Sequence, residues 1–160
     1  YFSYQRLEMF KNFILDVDGV LTTGHMIYSQ DGKKYKIFGP HDNDGLKMIK
    51  DLINIQFISA DSNGYSITQK RILDMGFSVD LISENDRKSY INDFVLGETI
   101  FMGDGFHDAK IMDIVGYSIA PKNARREVIE KANFVTESKS GEGAVLDACL
   151  HIKNKFFDER

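Results

Sequence analysis

Two carboxylates, Asp16 and Asp18, follow an apolar run at 13–15 near the start of the chain. The run predicts a strand, so both carboxylates leave the same strand end. One aspartate there can attack as a nucleophile, and a second, two residues on, can exchange a proton with the leaving group. The pair indicates a nucleophile, Asp16, beside a general acid–base, Asp18. A plain acidic turn after a strand stays open for this pair taken alone.

Three further polar groups follow later in the chain. Ser59 comes after the apolar run 55–58 and can donate its hydroxyl to a phosphoryl oxygen, with the backbone amides of Ala60 and Asp61 beside it. Lys88 lies where a helix is expected to begin, and it could neutralise a transferred group and keep the nucleophile ionised. Taken singly, the serine is equally a turn residue and the lysine a solvated helix position.

Asp104 and Asp108 follow the apolar run 99–102. Carboxylates in such a loop offer the hard oxygen ligands that Mg²⁺ prefers. With Asp16, they form the predicted metal site. The alternative for the Gly-Asp-Gly segment at 103–105 is an ordinary turn.

The apolar pattern of the whole chain alternates between strand and helix periods. Strands are predicted near 12–16, 55–59, 79–82, 99–103, 117–120 and 133–136, and helices near 43–54, 63–75, 87–96, 106–115, 123–131 and 143–157. This order predicts an α/β fold in which helices cover both faces of a central parallel sheet, a Rossmann-like three-layer sandwich. Ligands of such sheets bind beyond the carboxyl ends of the strands, where the acidic residues are expected.

The segment 24–38 interrupts this alternation. Two β-prone runs, 25–28 and 35–38, flank an Asp-Gly turn signal at 31–32, which predicts a β-hairpin insertion after the first strand. A small projecting hairpin with apolar side chains would be marginal on its own. We therefore expect this hairpin to pack against another subunit.

Composition limits the function classes. The 160 residues, 42% of them hydrophobic and 28% charged, predict a single globular domain over 1–160. A formal net charge of −4 does not favour nucleic acid as a partner. The start of the chain at 1–11 is charged and amphipathic, and no long apolar run follows, so we expect a cytoplasmic protein with no membrane contact.

The ordered set of motifs resembles the haloacid dehalogenase (HAD) superfamily of aspartate-nucleophile phosphotransferases. The chain has no room for a cap domain, and it looks closest to the phosphatases of 3-deoxy-D-manno-octulosonate 8-phosphate and their relatives that act on nonulosonate 9-phosphates. The motif at 16–22, the hairpin, Lys88, the acidic pair at 104 and 108 and the segment 141–145 carry this resemblance. It implies a Mg²⁺-dependent phosphatase of a small acidic sugar phosphate, an aspartyl-phosphate on Asp16 and a homotetramer. It also implies that the backbone carbonyl of Asp18 joins Asp16, Asp104 and Asp108 as a metal ligand.

Some positions depart from that pattern. Gly105 replaces the second acidic residue of the family's Gly-Asp-Asp motif, and Ser59-Ala60 replaces its Thr-Gly. Asp61 stands where octulosonate phosphatases usually carry an arginine, and an acidic residue there favours a nine-carbon or otherwise different sugar phosphate. The polar run 41–44 could contact substrate or cap the helix that starts there.

Two other functions remain open on the sequence. A catalytically weak oligomerisation or regulatory module could share this fold, although Asp16 and Asp18 are both present. A phosphatase acting on a macromolecular phosphate end is the second, because a site without a cap admits large substrates.

Overall fold

Eight strands occur in the computed structural model, which describes residues 10–158. They are β1 (Asn12–Asp16), β2 (Ile27–Ser29), β3 (Gly32–Tyr35), β4 (Asn54–Ser59), β5 (Val79–Leu81), β6 (Thr99–Met102), β7 (Tyr117–Ala120) and β8 (Phe134–Val135). Six of them form a parallel sheet in the order β5-β4-β1-β6-β7-β8. The predicted parallel sheet is confirmed, with β1 at its centre.

The described residues 10–158 also contain six α-helices. They are α1 (Asp42–Ile49), α2 (Tyr65–Asp74), α3 (Arg87–Asn92), α4 (Ala109–Met112), α5 (Arg126–Lys131) and α6 (Ala144–Ile152). Short 3₁₀ turns at Leu96–Glu98 and Phe106–Asp108 and a π-helical turn at Lys153–Phe157 complete the set. Several predicted helices were too long at their ends: α1 stops at Ile49 rather than at 54, because residues 50–53 turn into β4.

The side chains of β1 alternate between two hydrophobic layers, as the pleat of a strand requires. Phe13 and Leu15 pack on one side of the sheet with α1 and α6, and Ile14 packs on the other with α3, α4 and α5. Both hydrophobic layers contain fully buried side chains. The three-layer sandwich is therefore confirmed, and no cap domain interrupts it between residues 10 and 158.

The predicted hairpin is present, but its second strand was placed wrongly. β2 and β3 pair antiparallel, with Ser29 opposite Gly32 and Ile27 opposite Tyr35, so residues 30–31 alone form the turn. Gly32 has a φ of +110°, which a glycine adopts without strain and which allows this tight turn. The expected second strand at 35–38 is thus shifted to Gly32–Tyr35, and Lys36 lies just beyond its end.

The polar run 41–44 caps a helix, although not the helix that starts there. Asp42 is buried, and its Oδ1 accepts the backbone N–H groups of Val145 and Leu146 at 3.1 Å each. Those donors belong to the first turn of α6, so this contact ties α1 to the last helix. The N-cap of α1 itself, His41, makes no side-chain capping bond.

Among residues 10–158, no helix has both the length and the apolar character needed to cross a membrane. The charged start predicted at 1–11 lies mostly outside the described residues, as do the last two residues of the predicted domain 1–160.

Candidate active site

Parallel topology brings the predicted site residues to one edge of the sheet. β1 ends at Asp16, the neighbouring β4 ends at Ser59, and β6, on the other side of β1, leads into Asp104. Because all three strands run in the same direction, the loops that follow them leave the sheet together. The sequence-based expectation of a shared strand edge agrees with this arrangement.

The loop after β1 is held in a tight turn. The hydroxyl of Thr22 accepts the backbone N–H groups of Gly19 and Gly24 at 3.1 Å each. Gly19 has a φ of +79°, and a Cβ there would lie 1.9 Å from Oδ2 of Asp104. A glycine is needed at this position both for its backbone conformation and for the close approach of the two acidic loops.

Three carboxylates meet beside that turn. Asp16, Asp104 and Asp108 each place one oxygen within 4.8 Å of the others. Oδ2 of Asp108 accepts the backbone N–H groups of Asp104 and Gly105 at 3.0 Å each, which fixes the shape of the loop after β6. Oxygen donors this close together suit a hard divalent cation.

The electrostatics of these carboxylates agree with a site that needs a cation. Burial raises the pKa of Asp16 well above its usual value; Arg87 opposes this change, and Asp108 and Asp104 add to it. Burial, and then the charge of Asp108, raise the pKa of Asp104 to about 6, against the smaller effect of Arg87. Negative charge is therefore costly here, and a bound cation would relieve that cost.

The cation that contacts the carboxylates is Arg87, and Lys88 lies elsewhere. The Arg87 side chain is only 4% exposed; its Nη1 donates to Oδ1 of Asp108 at 2.6 Å and its Nη2 to Oδ1 of Asp16 at 3.4 Å. Lys88 is exposed and is not among the residues lining the cavity. One residue is about 100° of rotation on a helix, which turns neighbouring side chains of α3 to different faces. We call Asp16, Asp104, Asp108 and Arg87 the interior cluster.

A second group of charges lies across from the interior cluster. The Nζ of Lys36 lies 2.9 Å from Oδ1 of Asp18 and 2.9 Å from Oδ2 of Asp61, and Lys33 also pairs with Asp61. Burial raises the pKa of Asp61, but hydrogen bonds from the two lysines and from the Gly64 backbone outweigh burial and lower it to about 2. We call Asp18, Asp61, Lys33 and Lys36 the hairpin cluster, because both lysines come from β3 or directly follow it.

Ser59 lies at the same edge but is turned inward. Its side chain is fully buried, and its hydroxyl accepts the backbone N–H of Asp61 at 3.2 Å. Ala60 and Asp61, the next two residues, line the cavity instead. The loop after β4 therefore presents these two residues to a ligand, while Ser59 holds the turn.

An open cavity of about 580 Å³ separates the two clusters. Six predicted site residues line it: Asp16, Asp18, Ala60, Asp61, Asp104 and Asp108. Exposed Met26 and Phe106 lie at its rim, from the segment before β2 and the loop after β6. The cavity is large enough for a small phosphate ester.

Sequence reasoning missed Arg87, Lys33 and Lys36. Helical periodicity could have identified the arginine. Ile91 is the buried apolar residue of α3, and Arg87, four positions earlier, lies on the same face of the helix. Nothing in the local pattern pointed to the two lysines, because their partners lie between 18 and 32 positions away in the chain and are reached only after the hairpin folds back.

Comparison with known proteins finds relatives among hydrolases and phosphatases. A family model of haloacid dehalogenase-like hydrolases matches residues 78–148. The 3-deoxy-D-manno-octulosonate 8-phosphate phosphatase of Haemophilus influenzae is 30% identical to this chain, over 94% of the chain and 88% of that protein. The enzyme of the same name from Yersinia pestis is 26% identical over 91% and 80%.

Solved structures agree with this result. The cobalt-bound deoxy-D-mannose-octulosonate 8-phosphate phosphatase from Haemophilus influenzae is 30% identical, covers 97% of this chain and 96% of its own, and superimposes with a TM-score of 0.77. A Moraxella catarrhalis phosphatase, in complex with magnesium ion, phosphate ion and KDO, gives a TM-score of 0.83 over 95% and 90% at 24% identity, which shows the shared fold.

Proposed function

Since this chain belongs to the haloacid dehalogenase-like hydrolases, in the branch of the 3-deoxy-D-manno-octulosonate 8-phosphate phosphatases, we propose that it is a Mg²⁺-dependent phosphatase of a small acidic sugar phosphate. The resemblance drawn from the motifs is confirmed, and the chain is a phosphatase of phosphoric monoesters. The Mg²⁺ ion, the aspartyl-phosphate intermediate and the identity of the substrate are what we propose beyond this. The observation that carries them is the interior cluster, open to a cavity across from Asp18.

Asp16 is the proposed nucleophile. Its carboxylate attacks phosphorus, the bond from phosphorus to the leaving oxygen breaks, and an aspartyl-phosphate forms. Arg87 favours the ionised form of Asp16 against burial, and ionisation is what the attack requires. In this scheme Arg87 takes the role that the sequence assigned to Lys88.

Asp18 is the proposed general acid–base. It gives a proton to the leaving sugar oxygen in the first step, and in the second it takes a proton from the water that hydrolyses the aspartyl-phosphate. The Asp18 side chain is 36% exposed and lines the cavity, so both a leaving group and a water can reach it. Ala60 and the adjacent backbone would contact phosphoryl oxygens, with Ser59 holding their turn.

The residues present fit a divalent metal. Asp16, Asp104 and Asp108 would hold it through carboxylate oxygens, and the family resemblance adds the backbone carbonyl of Asp18. When bound, Mg²⁺ would neutralise charge on the phosphoryl group and on the clustered carboxylates. Related enzymes carry cobalt or magnesium in their solved structures, which supports a divalent ion here.

Asp61 bears on the choice of substrate. Its negative charge is paired with Lys33 and Lys36, so the loop after β4 presents a neutralised carboxylate rather than the arginine expected of an octulosonate phosphatase. Both octulosonate and nonulosonate phosphates remain candidates, and Lys33 supplies a cation at the cavity. A macromolecular phosphate end is the competing substrate, because the cavity is open.

We also propose a homotetramer. The hairpin exposes five large apolar side chains, each between 39% and 65% accessible: Met26, Ile27, Tyr28, Tyr35 and Ile37. Exposed apolar side chains gathered on a projecting hairpin are typical of a surface covered by another subunit. Light scattering of the wild type and of a Tyr28→Ser/Tyr35→Ser variant tests this proposal, with smaller species expected for the variant and a wild-type monomer as the contrary outcome.

The central test is phosphate release with Mg²⁺ from a panel of 3-deoxy-octulosonate 8-phosphate, nonulosonate 9-phosphates, simple sugar phosphates and a phosphopeptide. We expect selective turnover of an acidic sugar phosphate, reduced more than about 10³-fold by Asp16→Asn. Selective turnover of the phosphopeptide would support the macromolecular alternative. An Asp16→Asn variant as active as the wild type would contradict the mechanism.

Metal binding has a readout apart from turnover. Free Mg²⁺ at about 100 times its Kd would stabilise the fold by about 2.7 kcal/mol, or roughly 5–11 °C in Tm. We expect this shift in the wild type and its loss in Asp104→Asn. Equal Tm shifts in the wild type and in Asp104→Asn would indicate that Mg²⁺ binds elsewhere.

A further inference from the structure

Lys36 makes an unusual number of contacts for one lysine. Its side chain is 2% exposed, and its Nζ lies 2.9 Å and 3.0 Å from the two carboxylate oxygens of Asp18. The same ammonium lies 2.9 Å from Oδ2 of Asp61 and donates to the Thr68 hydroxyl at 2.8 Å. An ammonium has three N–H donors, and here three different side chains surround it.

The far side of this network is firmly held. Thr68 is fully buried on α2, and Oδ1 of Asp61 accepts the backbone N–H of Gly64 at 3.1 Å. A Cβ at Gly64 would lie 2.4 Å from Oδ2 of Asp61 and 2.7 Å from Cε of Lys36, so the missing side chain leaves the room that the lysine occupies. Two fixed acceptors therefore hold the ammonium in place, and the ammonium in turn contacts Asp18.

The Asp18 side chain is less enclosed by neighbouring residues than that of Asp16. Its side chain is 36% exposed in the cavity, while that of Asp16, two residues earlier, is 11% exposed and contacts Arg87. A partly exposed carboxylate can rotate among several rotamers, and general acid–base catalysis needs one orientation toward the leaving oxygen. Contact with both carboxylate oxygens restricts that rotation.

We propose that Lys36 is a positioning residue for Asp18, which makes the hairpin insertion part of the catalytic apparatus. The inference rests on the proposed function, in which Asp18 first donates and then accepts the transferred proton. Lys36 holds one carboxylate orientation while the proton moves from Asp18 to the leaving oxygen and later arrives from water. The competing explanation is a latch that ties the hairpin to α2 without affecting proton transfer.

Leaving groups separate these two explanations. An alkyl or sugar phosphate has a basic leaving oxygen that needs a proton, whereas the leaving group of p-nitrophenyl phosphate departs without one. Loss of an oriented general acid slows the first class of substrate selectively. Loss of a latch lowers stability or weakens binding of both classes alike.

The experiment compares kcat and KM of Lys36→Met, Lys36→Arg and the wild type on a sugar phosphate and on p-nitrophenyl phosphate. For Lys36→Met we expect kcat to fall about 10²-fold on the sugar phosphate and less than about tenfold on p-nitrophenyl phosphate, with little change in KM. Lys36→Arg should recover part of the loss, because it restores the charge. Asp18→Asn should show the same dependence on leaving group.

Lys34→Met is the matched control, because it also removes a lysine charge, from an exposed position on β3 two residues before Lys36. Thr68→Val serves as a second variant if Lys36→Met fails to fold; it removes one acceptor and should show a smaller effect of the same kind. Equal losses on both substrates, or a change in KM alone, would overturn the positioning role while leaving the proposed function intact. A wild type that hydrolyses neither substrate would overturn both.

Discussion

The interior cluster and the hairpin cluster face the same cavity, but they balance charge differently. The interior cluster sets three carboxylates against one guanidinium, Arg87, whereas the hairpin cluster sets two carboxylates against two ammonium groups. The carboxylates of the first have raised pKa values, at Asp16 and at Asp104, while that of Asp61 in the second is lowered. The excess of negative charge in the interior cluster favours binding of a metal ion. The equal numbers of positive and negative charges in the hairpin cluster favour ion pairs that hold its side chains in fixed positions.

The two clusters also differ in what holds them. Members of the interior cluster follow strands of the central sheet or begin α3, close to the fully buried core. In the hairpin cluster, Lys33 lies in a two-stranded ribbon outside that sheet and Lys36 directly follows it. We therefore expect changes to the interior cluster to affect both stability and turnover, and changes to the hairpin cluster to affect mainly turnover.

The largest effect is expected from Arg87→Met, which leaves Asp16 and Asp108 without their cation. Breaking a buried ion pair on one side costs about 3–5 kcal/mol, which lowers the Tm by roughly 6–20 °C. Mg²⁺ should then raise the Tm more than in the wild type, because it replaces the missing charge. Thermal unfolding with EDTA and with Mg²⁺ measures both effects.

Lys88→Met is the control for that variant, since it removes a cation from the next residue of α3. The exposed Lys88 side chain should leave the Tm and kcat nearly unchanged. A larger loss from Lys88→Met than from Arg87→Met would reverse our assignment.

A somewhat smaller effect is expected from Gly19→Ala. The new Cβ would displace the Asp104 carboxylate, and misplacement by about 1 Å can cost about 10²-fold in kcat/KM. Gly76→Ala is the matched control, because its φ of +88° carries the same backbone strain with no atom within 4 Å of the added Cβ. Similar kcat/KM values for the two variants would show that strain, and not the position of Asp104, accounts for the change.

The smallest effect is expected from Gly64→Ala, which crowds Asp61 and Lys36. Side chains can yield more readily than backbone, so we expect kcat to fall roughly threefold to tenfold on a sugar phosphate and less on p-nitrophenyl phosphate. Gly97→Ala, with open space around its Cβ, should behave as the wild type. A Tm loss as large as that of Arg87→Met would contradict the contrast between the clusters.

The amino-acid sequence by itself determined the α/β class, the six strands of the central sheet and the strand ends that carry Asp16 and Asp104. These features are local: apolar periodicity reports which side chains are buried, and parallel connection then places the strand ends together. Element ends were less predictable, as the second hairpin strand and the end of α1 show, because turns depend on how each segment meets its neighbours.

Only the tertiary structure decided which cations serve the carboxylates. Whether Arg87 or Lys88 reaches the carboxylates depends on which face of α3 packs against the sheet. The two residues are adjacent in the chain, so the sequence alone did not distinguish them. The contacts of Lys36 with Asp18 and Asp61 depend on the hairpin folding back over the strand edge. The positions of strands along the chain follow from short-range apolar patterns, whereas the pairing of charges requires the packed positions of distant segments.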